Sequence, residues 1–407
     1  MNLNSLIKVL KRSPILQGVL VLADAGLWFI DTLVILTTRR PKALVPTLLV
    51  LKFDQIGDYV AWRNYLRVLL QHPIYKGYRI VLCGSSSFRQ LAEHFDSDVI
   101  HQFIWVDIYK LVTRPLYRLQ LARQLRQLGA TVSINPTYSR VLVLDDYLTR
   151  VTDAAVRIGC ATDFTNTKRW EAWLGNQYFT QLLPTGTDIV FEVERYRCIF
   201  SAIIGTELSP QLPHFPVDGL PAVELPPRYA IVAPGASAIE KIWPMANFAG
   251  VITQLQLTHS FNWIVTGTQA EHHFYQQLRQ LLPSHILLTD TTGQLSLPQL
   301  LQAVSGAVFV LSNDSGTAHL AAAFHTPCVA VSHGLALGRW SPYPEAYGLP
   351  IRHVYPPYIN QHLTNIDAIA PDFQKQSPLS IRDVRVEDVL AATEMLLRDP
   401  VAKPLTD

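Results

Sequence analysis

Twice along this 407-residue chain, short apolar runs of strand length alternate with amphipathic helical patterns, and a proline-rich stretch divides the two series. In the first series 48–52, 79–83 and 131–134 read as strands, and 62–70, 88–94 and 116–128 as helices. In the second, 229–233, 263–266, 286–288, 307–311 and 328–332 read as strands, and 245–256, 269–282, 297–305 and 317–324 as helices. Such alternation predicts parallel sheets covered by helices, because parallel neighbours need a crossover long enough to hold one. Residues 206–227 hold Pro210, Pro213, Pro216, Pro221, Pro226 and Pro227 and read as an interdomain linker. The expected division is 1–46, 47–205, the linker 206–227, 228–375, and a C-terminal helix and tail over 376–407.

Charge narrows the choice of partners. The whole chain carries only +2, which gives no bulk electrostatic case for nucleic acid. Residues 1–46, however, hold Lys8, Lys11, Arg12, Arg39, Arg40 and Lys42 against Asp24 and Asp31, a local excess of +4. The segment 13–38 between the basic clusters is mostly apolar. Gln17, Asp24, Asp31 and Thr38 recur every seven residues and so share one helix face. This reads as an amphipathic membrane-surface helix, with Trp28 and the flanking Lys/Arg at headgroup depth. A spanning helix and a helix docked on its own domain are the alternatives. A spanning helix would carry Asp24 near its centre, at a cost of about 2.5–3.5 kcal/mol. The basic residues after the segment predict a cytoplasmic location, peripheral on the inner face of the membrane.

The four cysteines, Cys83, Cys160, Cys198 and Cys328, form no C-x-x-C pair or Cys/His cluster. A zinc site is not expected, and buried free thiols are. Neither G-x-G-x-x-G nor G-x-x-x-x-G-K-[ST] occurs, which weakens both a dinucleotide and a P-loop reading.

One corner stands out. The apolar run 307–311 stops at Ser312-Asn313-Asp314-Ser315-Gly316-Thr317, and a small-residue helix containing His319 follows. A strand–turn–helix corner converges backbone N–H groups and a positive helix end, which suits a phosphate or diphosphate. Gly316 permits close approach, and Ser315 and Thr317 add hydroxyls. Asp314 is either the helix N-cap or a partner for sugar hydroxyls.

Two further motifs occur in order with this corner: Leu48-Leu49-Val50-Leu51-Lys52-Phe53-Asp54-Gln55-Ile56-Gly57-Asp58, and Ala233-Pro234-Gly235-Ala236-Ser237 followed by Glu240-Lys241-Ile242-Trp243-Pro244. Together the three resemble glycosyltransferase family 9, the lipopolysaccharide heptosyltransferase family, over residues 48 to 331. The resemblance implies an α/β, GT-B fold, two Rossmann-like domains facing each other across a cleft, here with an N-terminal amphipathic helix. In that fold the chain's end commonly packs back on the first domain. The resemblance also implies an inverting, metal-independent sugar transfer from a nucleotide diphosphate sugar, of which ADP-heptose is one, to a lipopolysaccharide-type or lipid-linked glycan. No cofactor is expected.

Residue by residue, the family's presumed base falls on Asp58, after Gly57; the alternative for Asp58 is a helix N-cap. Its phosphate-neutralising lysine falls on Lys241, and its Ser/Thr hydroxyl on Ser237; a solvated surface lysine is the alternative. Glu271, in the helix after 263–266, matches an acidic residue that holds the nucleoside, and also suits the first turn of a helix. Leu295 matches a position bordering the base, and core packing explains it equally. His319, four residues beyond Ser315, lies on the same helix face and is a candidate donor to phosphate or sugar. Trp243 reads as packing.

The chain departs from the family pattern in places. Asn64 stands where the family's opening helix usually has proline. Lys52 replaces the more common Arg, and the loop Gly338-Arg339-Trp340-Ser341-Pro342-Tyr343-Pro344 resembles one branch of the family. Two other readings stay open: a non-catalytic nucleotide-sugar-binding scaffold, and a GT-B-fold enzyme acting on the nucleotide sugar itself, such as an epimerase.

Overall fold

In a computed structural model the described residues are 14–42, 44–186 and 188–398. Lys8, Lys11, Arg12, Ser13 and the tail 399–407 lie outside them. The chain divides into two compact units. The first holds the described residues through Gln55 together with Tyr65–Thr187 and Tyr196–Ser209; the second holds Ile56–Asn64, Asp188–Arg195 and everything from Pro210 onward.

Each unit is built on one six-stranded parallel sheet. The first contains β1 (Thr47–Lys52), β2 (Arg79–Ser85), β3 (Gln102–Val106), β4 (Val132–Asn135), β5 (Val156–Cys160) and β6 (Gln181–Leu183), in the order β3-β2-β1-β4-β5-β6. The second contains β7 (Tyr229–Ala233), β8 (Asn262–Val265), β9 (Leu288–Asp290), β10 (Phe309–Asn313), β11 (Cys328–Val331) and β12 (Ile351–Val354), in the order β12-β11-β10-β7-β8-β9. The two orders are the same doubly wound pattern, so the expected pair of Rossmann-like units is found. Every residue of β1, β7 and β10 is buried, as central parallel strands covered on both faces require. In such sheets ligands bind beyond the carboxyl ends of the strands where the order reverses, here after β1/β4 and after β7/β10.

Three expectations need correction. The helix Pro14–Thr37 docks on the first unit, against the helices Pro115–Gln127 and Tyr147–Thr152. Its Asp31 does not face a headgroup layer: it accepts from Arg118 Nε at 3.0 Å and Nη2 at 2.5 Å, and both side chains are fully buried. Val34 enters the core beside it. Asp31 therefore points inward, because a buried arginine is there to receive it. The outward face carries Leu22, Phe29 and Leu36 at 73, 64 and 79% exposure. Among the described residues no helix is long and apolar enough to cross a membrane.

Second, the C-terminal helix Val386–Arg398 is part of the second unit. Its apolar face, Val386, Val389, Leu390, Leu396 and Leu397, is used up against the core formed with the helix Met245–Thr258. Third, Cys198 is an exposed thiol; Cys83, Cys160 and Cys328 are buried as expected.

Candidate functional site

The second unit's loops converge around one buried amide. Asn313 ends β10, where its side chain has no water to bond and must find partners. Its Nδ2 donates to Pro234 O at 2.6 Å, and its Oδ1 accepts from Trp243 N at 3.2 Å. One residue thus ties the Pro234-Gly235-Ala236-Ser237 turn, which leaves β7, to the segment carrying Lys241. Trp243 is buried, donates from Nε1 to Val384 O at 3.1 Å and packs edge-on to Phe248, so it is a packing residue. Lys241 closes the single turn Ile239–Lys241 and is half-buried, while Ser237 is exposed.

Asp314 is not the helix N-cap. Ser315 takes that position for the helix Gly316–Ala323, in extended conformation, with its hydroxyl 3.1 Å from that of Ser312. The Asp314 carboxylate instead accepts from Ser332 Oγ at 3.1 Å. Burial pushes the Asp314 carboxyl up, but the Lys241 charge first, then the neighbouring His353 and His319 rings and the Ser332 bond, outweigh it and hold it below the usual carboxylate range. Burial lowers His319 against the pull of Asp314, and Lys241 lowers it further, so its ring is neutral. Asp314, His319 and Lys241 therefore share one electrostatic neighbourhood. His333, which the sequence reading passes over, belongs to it too: burial and Lys241 lower it, with Asp314 opposing. Its position two residues after β11, at the carboxyl edge of the sheet, is the signal that was available.

Gly57 and Asp58 join the same unit at the start of the helix Ile56–Gln71. A β-carbon on Gly57 would come within 3.0 Å of His319 Cδ2 and 3.5 Å of Nε2, and one on Gly316 would make ordinary contact with Ile56 at 3.8 Å. The Gly57–Asp58 turn thus lies against the helix start and His319. Gly316 is not demanded by its protein neighbours. Asp58 is half-buried in the first helical turn. Asn64, in place of the family's proline, donates to Leu212 O at 2.6 Å.

Glu271 faces the same end of the sheet. Its Oε2 accepts from Thr268 N at 2.6 Å and Thr268 Oγ1 at 2.9 Å, a helix-capping arrangement. Its Oε1 lies where a β-carbon on Gly235 would come within 2.0 Å, so the carboxylate overhangs the Pro234–Gly235 turn. Leu295 is half-buried in the turn after β9, whose Gly293 N donates to Gly267 O at 2.8 Å beside Glu271. Lys52 stays in the first unit, fully buried between Asp54 and Tyr196 OH, the latter at 2.8 Å. Among the described residues there is no cluster of three or more His, Cys, Asp or Glu side chains arranged to hold a metal ion.

Three comparisons bear on this geometry. A sequence profile described as glycosyltransferase family 9 (heptosyltransferase) matches residues 147–354, just over half of the chain. No curated protein sequence matches significantly. Among solved structures the chain is similar to E. coli ADP-heptose LPS heptosyltransferase II, with a TM-score of 0.63 and 17% identity over 86% of this chain and 98% of that one. It is similar to a glycosyl transferase family 9 protein from Veillonella parvula, with a TM-score of 0.64 and 16% identity over 89% and 99%. It is also similar to E. coli heptosyltransferase WaaC with ADP-2-deoxy-2-fluoro heptose, with a TM-score of 0.63 and 17% identity over 86% and 99%. At these identities the likeness is one of fold.

Proposed function

The chain belongs to glycosyltransferase family 9, and from that premise we propose that it moves a sugar, heptose or a relative, from a nucleotide diphosphate donor to a glycan hydroxyl with inversion at the anomeric carbon. The acceptor in this reading is a lipopolysaccharide-type or lipid-linked glycan. The apolar outward face of the helix Pro14–Thr37, with the basic residues that flank it, is read as a contact with the inner face of the cytoplasmic membrane.

The Asp58 carboxylate takes the proton of the acceptor hydroxyl. The oxygen forms its bond to the anomeric carbon as the bond to the diphosphate oxygen breaks, and the electron pair leaves with the nucleoside diphosphate. Charge building on that leaving group is met by the Lys241 ammonium, the neutral His319 N–H, the Ser237 hydroxyl and the N–H groups of Ser315 and Gly316. The Glu271 carboxylate accepts from ribose hydroxyls, and Leu295 borders the base. No metal has a part in this sequence. The observation that carries the reading is the contact of Gly57 with His319, because it joins the base-bearing turn to the phosphate-binding corner.

Thermal melting with nucleoside diphosphates and nucleotide sugars tests the donor site. A ligand at 100 times its Kd adds about 2.7 kcal/mol. A shift with one nucleotide class is expected, lost in Lys241→Ala and kept in Asp58→Ala. Transfer assays with the same donor should show no product from Asp58→Ala. Full transfer by that variant removes Asp58 from the chemistry, and no shift with any nucleotide sinks the donor assignment.

A further inference from the structure

The His319 imidazole is fixed on several sides within the second unit. Its Nδ1 lies 2.8 Å from the Tyr343 hydroxyl, in a buried contact. Trp340 meets the ring edge-on at 5.4 Å between centroids. The Cδ2–Nε2 edge faces Gly57. Tyr343 is itself clamped: Phe191 packs at 4.8 Å from its ring, and His353 stacks on it at 6.0 Å and 16°. The loop that bears it is tied down as well. Gly338 N donates to Ser341 O at 2.7 Å, Arg339 Nε donates to the buried Glu192 carboxylate at 2.7 Å, and Glu192 N donates back to Arg339 O at 2.8 Å. The helix Gly316–Ala323 itself packs on β10 and β11. Of these groups only the Tyr343 hydroxyl meets a ring nitrogen of His319, Nδ1.

We propose that Tyr343 is a positioning residue for the transfer: its hydroxyl donates to His319 Nδ1, which fixes the neutral imidazole as the Nε2–H tautomer and presents that N–H at the Gly57–Asp58 turn. A neutral imidazole that accepts at one nitrogen donates at the other. The Nε2–H is then a donor toward a phosphate or sugar oxygen; the opposite tautomer would put a lone pair there and repel it. The inference rests on the reading of the 314–319 corner as the donor site.

Tyr343→Phe keeps the ring and its stacking and removes the hydroxyl alone. Nitrogen-15 NMR of the unliganded protein should find His319 as the Nε2–H tautomer, and should find that preference lost in Tyr343→Phe. With a nucleotide sugar that the wild type uses, Tyr343→Phe should lower kcat/KM about tenfold, the worth of one neutral hydrogen bond. It should lower it no further in a His319→Ala background, whereas a general disturbance of the loop would add to the His319 loss. An Nδ1–H tautomer in the wild type, or additive losses in the double variant, overturns the proposal. So does wild-type activity in Tyr343→Phe when His319→Ala is impaired. Full activity and donor affinity in His319→Ala overturns the donor-site reading along with it, while the tautomer measurement still reports separately on the Tyr343 bond.

Discussion

Gly57 lies so close to His319 that a β-carbon on it would stand 3.0 Å from the imidazole Cδ2. The glycine is required by a neighbouring side chain rather than by its own backbone, since its φ is not in the left-handed region. Gly57→Ala should therefore displace the His319 ring by a few tenths of an ångström. Donor affinity in a calorimetric titration should fall about tenfold, the scale of one disturbed hydrogen bond. The same substitution should cost little when His319 is already alanine. Equal losses in both backgrounds would mean that Gly57 serves some purpose other than making room for the ring.

The buried pair of Asp31 and Arg118 gives a test of how the N-terminal helix is held. Removing one partner leaves an uncompensated buried charge, at a cost of about 3–5 kcal/mol. Asp31→Ala should lower stability by that amount in urea unfolding. Replacing both partners with apolar residues, Asp31→Leu with Arg118→Met, should restore most of it. If Asp31→Ala is silent, the helix does not dock through this pair.

His353 sets a limit on acid stability. Burial pushes its pKa down to about 4 from an ordinary 6.5, and neither ring nitrogen has a hydrogen-bond partner among the described residues. Between these values the unfolded chain binds a proton that the folded chain refuses. Stability from this group is therefore unchanged above pH 6.5 and declines as pH falls toward 4, by about 3 kcal/mol in all. His353→Phe keeps the stacking with Tyr343 and Tyr355 and removes the proton site. The variant should gain on the wild type steadily from pH 6.5 down to pH 4. Asp145, pushed up to about 6 by burial and by the Asp54 charge, gives the opposite slope from pH 3.8 to 6, so the comparison is made between the two proteins at each pH. A constant difference across that range would show that His353 titrates normally.

The elements that could be read from sequence were those whose local pattern and tertiary role agree. The strand expected at 229–233 is β7 itself, and the helix expected within 376–407 runs over Val386–Arg398. The strand expected at 307–311 is β10 displaced by two, because Ser312 and Asn313 are polar yet continue the ladder through Ala330 and Val331. The strands β3, β5, β6 and β12 were missed. Gln102, Arg157 and Arg352 interrupt three of these runs, and β6 is only three residues long. Within the site, Gly57, Asp58, Lys241 and Asp314 were legible because they sit in ordered motifs. Asn313, His333 and Tyr343 were not. Their importance comes from contacts across 24 to 79 positions of sequence or from a shared field, which no local spacing encodes.

The two hydrogen bonds made by the Asn313 amide couple the freedom of two loops. A shift of the Pro234–Gly235 turn is passed to Trp243 and so to the segment carrying Lys241, and neither loop can be re-cut without the other. If the donor binds here, variation in which donor is accepted falls to the turn around Leu295, which Asn313 does not hold. The two turns that Asn313 bonds form one coupled frame, and the turn around Leu295 stands outside it.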